Sequence, residues 1–322
     1  MDLDLFQQRG ILLELMITRK CNFFCEHCMY DCSPQSSNEY MSDEILNKIK
    51  NQVDFLKNVD IPATVNILGG EPTINFKKFE HILKIVSTWN TPITLNTNGW
   101  WLSSEDKTEK FFKIVSPYIN ENGKYYTVSN FKKVGIFLIR ISNDPYHYTQ
   151  RKVKNINEVL WNIFNNQEFI KDWGVPIPDD VEPWIYAQPV WDKNWIVSPN
   201  GRARNLSPIN INENFCFLEK YNRTESIHYE PDGNITDACG WGSIYDFGNV
   251  NDNILFIIEI IRQYKEYRKN CGKIHNCYNC REMVQDWKKE NLIQMRDKYK
   301  ELNTFNSWDF LYNIDANKSS VL

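Results

Sequence analysis

The chain of 322 residues contains no apolar run near the roughly 18 residues that a membrane span requires. Its opening, MDLDLFQQRGILLELMITRKC, lacks a basic start followed by an apolar core and a cleavage site, so no secretory signal is expected. No run of Lys or Arg marks a phosphate-tracking face, and the net charge is −4 with a pI of about 5.8. Nucleic acid and membrane are therefore not expected as partners. Internal repeats and low-complexity tracts are also missing. These absences lead to the expectation of a cytoplasmic globular protein. In that reducing compartment, nine cysteines argue for metal binding or catalysis over disulfides.

What is present is ordinary in bulk and unusual in detail. Apolar residues make up 42% and charged residues 24%, as in most soluble domains. Aromatics reach 14%, with 11 Trp, enough to line pockets as well as a core. The length suits one large domain with a small appendage.

Apolar patterning alternates between two periods. ILLELMI (11–17), ATVNIL (63–68), ITLNTNG (93–99) and VGIFLIRIS (134–142) read as strands. Between them, Ile45, Leu46, Ile49, Val53 and Leu56 follow Ser42, a good N-cap, at helical spacing. FKKFEHILKIV (76–86), SSEDKTEKFFKIV (103–115) and INEVLWNIF (156–164) are helical as well. Four strand–helix units predict an α/β fold with a parallel sheet and a site at the strand C-terminal ends. After Trp173 the rhythm weakens: VPIPDDVEP cannot be one helix. WIYAQPV (184–190) and WIVSP (195–199) read as further strands, and 254–267 and 283–302 as helices.

CNFFCEHC (21–28) places Cys21, Cys25 and Cys28 on the loop after the first strand, beside Glu26 and His27. Zinc sites usually pair C-x2-C with a second pair. Three thiolates without a nearby fourth instead leave one metal position open, as on a cubane bound by three cysteines. The bland alternative is three unrelated buried thiols. GGEP (69–72) follows the second strand, and Gly69 and Gly70 allow a ligand to approach the backbone. TNG (97–99) follows the third.

In this strand order, the three motifs resemble the radical S-adenosylmethionine (SAM) enzymes over roughly residues 10–210. The resemblance implies a partial (β/α)6 TIM-like barrel with a 4Fe–4S cluster on Cys21, Cys25 and Cys28. The open iron would bind the SAM amino and carboxylate groups. One electron from the cluster would split SAM into methionine and a 5′-deoxyadenosyl radical, which takes a hydrogen atom from the substrate. An electron donor such as flavodoxin or ferredoxin is implied. By the same resemblance Gly69, Gly70, Glu71, Pro72, Asn96, Asn98 and Ser142 are cofactor-binding candidates, with Glu71 facing the SAM ammonium. SNDPYH (142–147) adds Asp144 and His147 as catalytic candidates, against a plain Asp-Pro turn. Arg202, or Arg204 beside it, could pair with the SAM carboxylate, against a solvated pair of arginines.

Cys216, Cys239, Cys277 and Cys280 form a second group, around a hairpin signal at PDG and a helix. This resembles the Twitch appendage, a short relative of the SPASM domain, over roughly residues 211–285. It implies a second, auxiliary 4Fe–4S cluster on those four cysteines, with residues 1–210 as barrel and 286–322 as C-terminal helix and tail. A structural zinc is the alternative, and Cys271 could replace one ligand. Cys32 and Cys271 are also candidate hydrogen-atom donors.

The expected activity is hydrogen abstraction from a ribosomally made peptide, giving epimerisation, cross-linking or oxidation. TNGWWLS and SNDPYH resemble enzymes of that kind. The peptide epimerases carry two adjacent cysteines where this chain reads DACGW, with Ala238 before Cys239. With the barrel starting near residue 10, no leader-binding domain is expected before it. Oxidation or dehydration of a small metabolite, a sugar or aminocyclitol, is the alternative. A non-catalytic iron–sulfur electron carrier is the alternative from another class.

Overall fold

The structure is a computed structural model that describes residues 10–28, 30–118, 135–153, 156, 158, 159, 185–189, 225–236, 247–270, 291 and 294. Five parallel strands run in spatial sequence: β1 (Ile11–Met16), β2 (Ala63–Leu68), β3 (Pro92–Thr97), β4 (Gly135–Asn143) and β5 (Ile185–Pro189). On the other side of β1 lies β6 (Glu225–Tyr229), also parallel, followed by antiparallel β7 (Asn234–Thr236) and β8 (Gly248–Asn249). The order is β5-β4-β3-β2-β1-β6-β7-β8. This is the parallel-dominated α/β architecture that the strand–helix rhythm predicts.

The helices form where the periodicity places them. α1 (Asp43–Asn58) starts at Ser42, whose Oγ accepts from the Ile45 N–H at 3.3 Å, with Asp43 and Glu44 at the positive end. Its Leu46, Ile49, Val53 and Leu56 are fully buried. α2 (Phe76–Ser87) is capped by Asn75 and buries Phe79, Leu83 and Val86. α3 (Glu105–Val115) follows a 3-10 turn (Trp100–Ser103) that seats Trp101 flat on Phe111 at 3.8 Å. α4 (Pro145–Arg151) directly follows β4. Strand side chains alternate: Leu13, Leu15, Val65, Ile67, Ile93 and Leu95 enter the core under the helices, and their neighbours face the opposite side.

Residues 225–236 and 247–261, which sequence reading places in the C-terminal appendage, are continuous with the parallel sheet. β6 bonds to β1, and Ile227, Tyr229, Ile235 and Phe247 share its core with α5 (Ile254–Asn270). Buried Gln52 on α1 fastens this stretch. Its amide donates to the carbonyls of Val250 and Asp252 and accepts from the Tyr229 hydroxyl at 2.6 Å. The PDG turn is present, with Gly233 at φ +84°.

Arg202, Arg204, Cys216, Cys239, Cys271, Cys277 and Cys280 lie outside the described residues. So do the strand expected at 195–199 and all of the helix at 283–302 except 291 and 294. Among the described residues, no helix is long and apolar enough to cross a membrane.

Candidate functional site

The loop after β1 closes on itself before it can hold anything. Cys21 N–H bonds to Ser33 O and Cys28 N–H to Cys25 O, and Asp31 takes a left-handed turn at φ 54°. This gathers Cys21, Cys25, Cys28 and Cys32 into one packed group with Met16, Phe23, Leu68, Trp100 and Tyr146. None of the four is in a disulfide, and Cys21, Cys25 and Cys32 are buried.

Two of the sulfurs meet N–H donors. Cys21 Sγ accepts from the Phe23 backbone at 3.4 Å and from Asn98 Nδ2 at 3.7 Å. Cys25 Sγ accepts from Gln150 Nε2 at 3.6 Å. Burial first, then the nearby Glu71 charge, pushes the free Cys21 thiol up to about 12. Three thiols in an apolar nest, with donors aimed at two sulfurs, suit thiolate ligands of an iron–sulfur cluster. Cys32 hydrogen-bonds Cys28, and that bond together with burial holds its thiol well above the ordinary range.

GGEP acts on the chain itself. Gly70 N–H bonds to Thr18 O and Glu71 N–H to Lys20 O, both at 2.8 Å. A Cβ on Gly69 would lie 2.7 Å from Thr18 O, and one on Gly70 would lie 2.5 Å from Lys20 O and 2.6 Å from Arg19 O. Sequence reading assigns these glycines to close approach by a ligand. What approaches them in the structure is the backbone leading into Cys21, and only glycine permits that contact.

Glu71 is fully buried and its carboxylate faces inward. It accepts from the Thr73 N–H and hydroxyl, from Thr97 Oγ1 at 2.8 Å and from the Asn98 N–H at 2.6 Å. Two of these four bonds, those from Thr97 and Asn98, tie the GGEP loop to the end of β3. Burial raises its pKa against those bonds. Pro72 beside it is buried.

Asn98 joins the loops. Its side chain reaches Cys21 Sγ and Asn22 Oδ1, and its carbonyl accepts from buried Arg151 Nη1 at 2.6 Å. The same Nη1 donates to Ser142 O at 2.9 Å, binding the ends of β3 and β4. Gly99, at φ +69°, makes the turn that this requires. Asn96 is half-buried on β3, and its Oδ1 has no hydrogen-bond partner among the described residues.

Asp144 and His147 come together, and His27 joins them from the cysteine loop. Asp144 accepts from the His147 N–H at 3.0 Å, and its Oδ2 lies 2.5 Å from His147 Nδ1 and 3.6 Å from His27 Nε2. Burial alone would raise the Asp144 pKa, but the His147 and His27 hydrogen bonds outweigh it and hold it well below the usual carboxylate range. Burial lowers His147 against the pull of Asp144. Tyr146 stacks on His27 at 4.4 Å. The site thus gathers the C-terminal ends of β1 to β4 around the thiols.

Residues 15–122 match the family model described as the Radical SAM superfamily. That stretch, about a third of the chain, resembles a radical SAM domain. Its relatives include YydG of Bacillus subtilis (strain 168), named for peptide biosynthesis. That protein is 24% identical over 148 residues, 46% of this chain and 40% of its own length. GTP 3',8-cyclase of Pasteurella multocida (strain Pm70) is 35% identical over 172 residues, 52% of this chain and 50% of that one. The chain spans about half the length, or less, of these curated relatives. Among solved structures, BtrN in complex with AdoMet and 2-DOIA aligns over 80% of this chain and 85% of its own, at 12% identity and a TM-score of 0.49.

Sequence reading missed one set of residues. Glu14, Asn66, Thr94, His228 and Thr236 sit opposite one another on adjacent strands, all buried. The signal was a strongly polar residue, Glu14 and Asn66 in turn, inside each of two mainly apolar runs, ILLELMI and ATVNIL.

Proposed function

We propose that the chain is a radical SAM enzyme that abstracts a hydrogen atom from a peptide substrate. The observation that carries this is the joining of the three-thiol loop to GGEP through Gly69, Gly70 and Glu71, because it brings the candidate ligands and the candidate SAM loop into one rigid unit. In this reading Cys21, Cys25 and Cys28 hold a 4Fe–4S cluster. When bound, that cluster supplies the electron that splits SAM into methionine and a 5′-deoxyadenosyl radical.

The chain's own residues do the rest. Asn98 and Gln150 direct N–H groups at the ligand sulfurs. Glu71 and Arg151 hold the β2, β3 and β4 loops in register, so that backbone carbonyls there meet SAM. Asn96 and Ser142 face the same side, and the Asp144–His147 pair borders it. Cys216, Cys239, Cys277 and Cys280 hold a second cluster, and Arg202 serves SAM, with an external donor such as flavodoxin or ferredoxin supplying the electron. The name of YydG supports a peptide substrate. The match to GTP 3',8-cyclase favours a second reading, a small metabolite.

The test is anaerobic reconstitution followed by reduction with dithionite. The account expects 5′-deoxyadenosine and methionine from the wild type and neither from Cys25→Ala. Intact clusters without SAM cleavage would favour an electron carrier and refute the proposal. About eight irons per chain would support the auxiliary cluster. About four with one zinc would assign the second group to zinc.

A further inference from the structure

We infer that the buried row Glu14–His228–Glu230 is a substrate subsite that takes a primary ammonium group. This rests on the radical SAM reading and deepens it.

The row lies on the sheet face beneath the thiols. Glu14 precedes Met16 by two positions on β1, and Asn66 precedes Leu68 by two on β2. Each pair therefore shares one face, and Met16 and Leu68 pack in the cysteine group. Two strand residues span about 7 Å, so Glu14 and Asn66 sit roughly that far below the thiols. Tyr30, from the cysteine loop, lies parallel to the His228 ring at 5.2 Å and joins the two levels.

The row is buried, yet its hydrogen bonding is incomplete. Glu14 Oε1 accepts from Asn66 Nδ2 at 3.3 Å, and Asn66 Oδ1 from Thr94 at 2.7 Å. Glu14 Oε2, both His228 ring nitrogens and Thr236 Oγ1 have no hydrogen-bond partner among the described residues. His228 is 0% exposed and Glu14 9%. His228 Nδ1 is 3.8 Å from Glu14 Oε2 and its Nε2 is 3.6 Å from Glu230 Oε1, too long for direct hydrogen bonds. Buried polar atoms left open in this way call for a hydrogen-bonding partner, which a bound group can supply.

The chemistry selects a cation. Carboxylates accept only, and among the described residues the one fixed cation at the row, Arg19, lies 2.8 Å from Glu230. Among those residues Glu14 has an amide partner and no fixed cation. A buried carboxylate without a counter-charge is costly, and an ammonium offsets that cost while donating to Glu14 Oε2 and a His228 nitrogen. A lysine or N-terminal amine of a peptide and the amine of an aminocyclitol share this chemistry.

The test uses reconstituted holoenzyme with SAM, under anaerobic calorimetry. One pair of probes is a short lysine peptide and its norleucine twin, and the other is an aminocyclitol and the matching cyclitol. The amine member of one pair should bind at least about tenfold tighter than its neutral twin. Glu14→Gln, or His228→Gln if that variant fails to fold, should erase the preference. The pair that responds identifies the source. Equal binding within both pairs, no amine binding at about 10 mM, or a preference that survives in the variant overturns the inference. Dithionite-driven SAM cleavage by the wild type is measured alongside. If it is absent, the radical SAM reading itself fails; if it is present without amine preference, only the subsite fails.

Discussion

Substituting Gly70 with alanine tests the joint between the two loops. The new Cβ would lie 2.5 Å from Lys20 O, 2.6 Å from Arg19 O and 2.7 Å from Lys20 C, all backbone atoms, whereas ordinary contact begins near 3.4 Å. The loops would have to part by about 0.9 Å, and no flexible side chain can absorb the shift. That separation stretches the bonds to Thr18 O and Lys20 O, at about 1 kcal/mol each, and adds overpacking strain of about 1–3 kcal/mol. A loss of about 3–5 kcal/mol is expected, a large share of a typical domain's stability. Urea unfolding of the metal-free protein under reductant measures it, with iron retention after reconstitution as a second readout. Cys21→Ala is the contrast: it should lose iron at smaller cost in stability. If Gly70→Ala stays within about 0.5 kcal/mol of the wild type and loads iron fully, the joint does not hold the site together.

The other predictions concern the loop ends. Arg151→Met leaves the carbonyls of Asn98 and Ser142 without their buried donor, and should lower the unfolding free energy by about 2–4 kcal/mol in urea titration. Glu71→Gln places an amide N–H among four donors, and should cost about 2 kcal/mol or more and weaken SAM binding in equilibrium dialysis. Asp144 has a folded pKa below its unfolded value of about 3.9, so its contribution is fully present above that value and is lost as pH falls toward the folded one. The stability gap between wild type and Asp144→Asn, followed by unfolding at stepped pH, should therefore be constant from about pH 5 to 6 and shrink below about pH 4. A gap that widens on acidification would contradict the assigned His27 and His147 bonds.

Much of the architecture was legible because apolar period and punctuation agree. β2 was expected at 63–68 and occurs there, and Ser42 caps α1 as its side chain predicts. TNG marked a turn, and Gly99 makes it. The membership of β6, β7 and β8 in the parallel sheet was not legible, because pairing between β6 and β1 joins segments more than 200 residues apart and leaves no local pattern. α4 was hidden in SNDPYH, where Asp-Pro reads equally as a turn. The thiols announced themselves by spacing. Glu71 and Arg151 did not reveal their roles, since which loop a buried charge fastens depends on where the loops meet. Glu14 and Asn66 were read as part of apolar strands because one polar residue scarcely alters such a run.

The central claim is that the thiol loop holds a cubane whose vacant iron receives the amino and carboxylate groups of SAM. Electron–nuclear double resonance on the reduced enzyme, with SAM carrying nitrogen-15 in its amino group, measures this directly. The account predicts a hyperfine coupling to the labelled nitrogen that is absent from Cys28→Ala. A cubane signal that shows no coupling, and does not change when SAM is added, would contradict it.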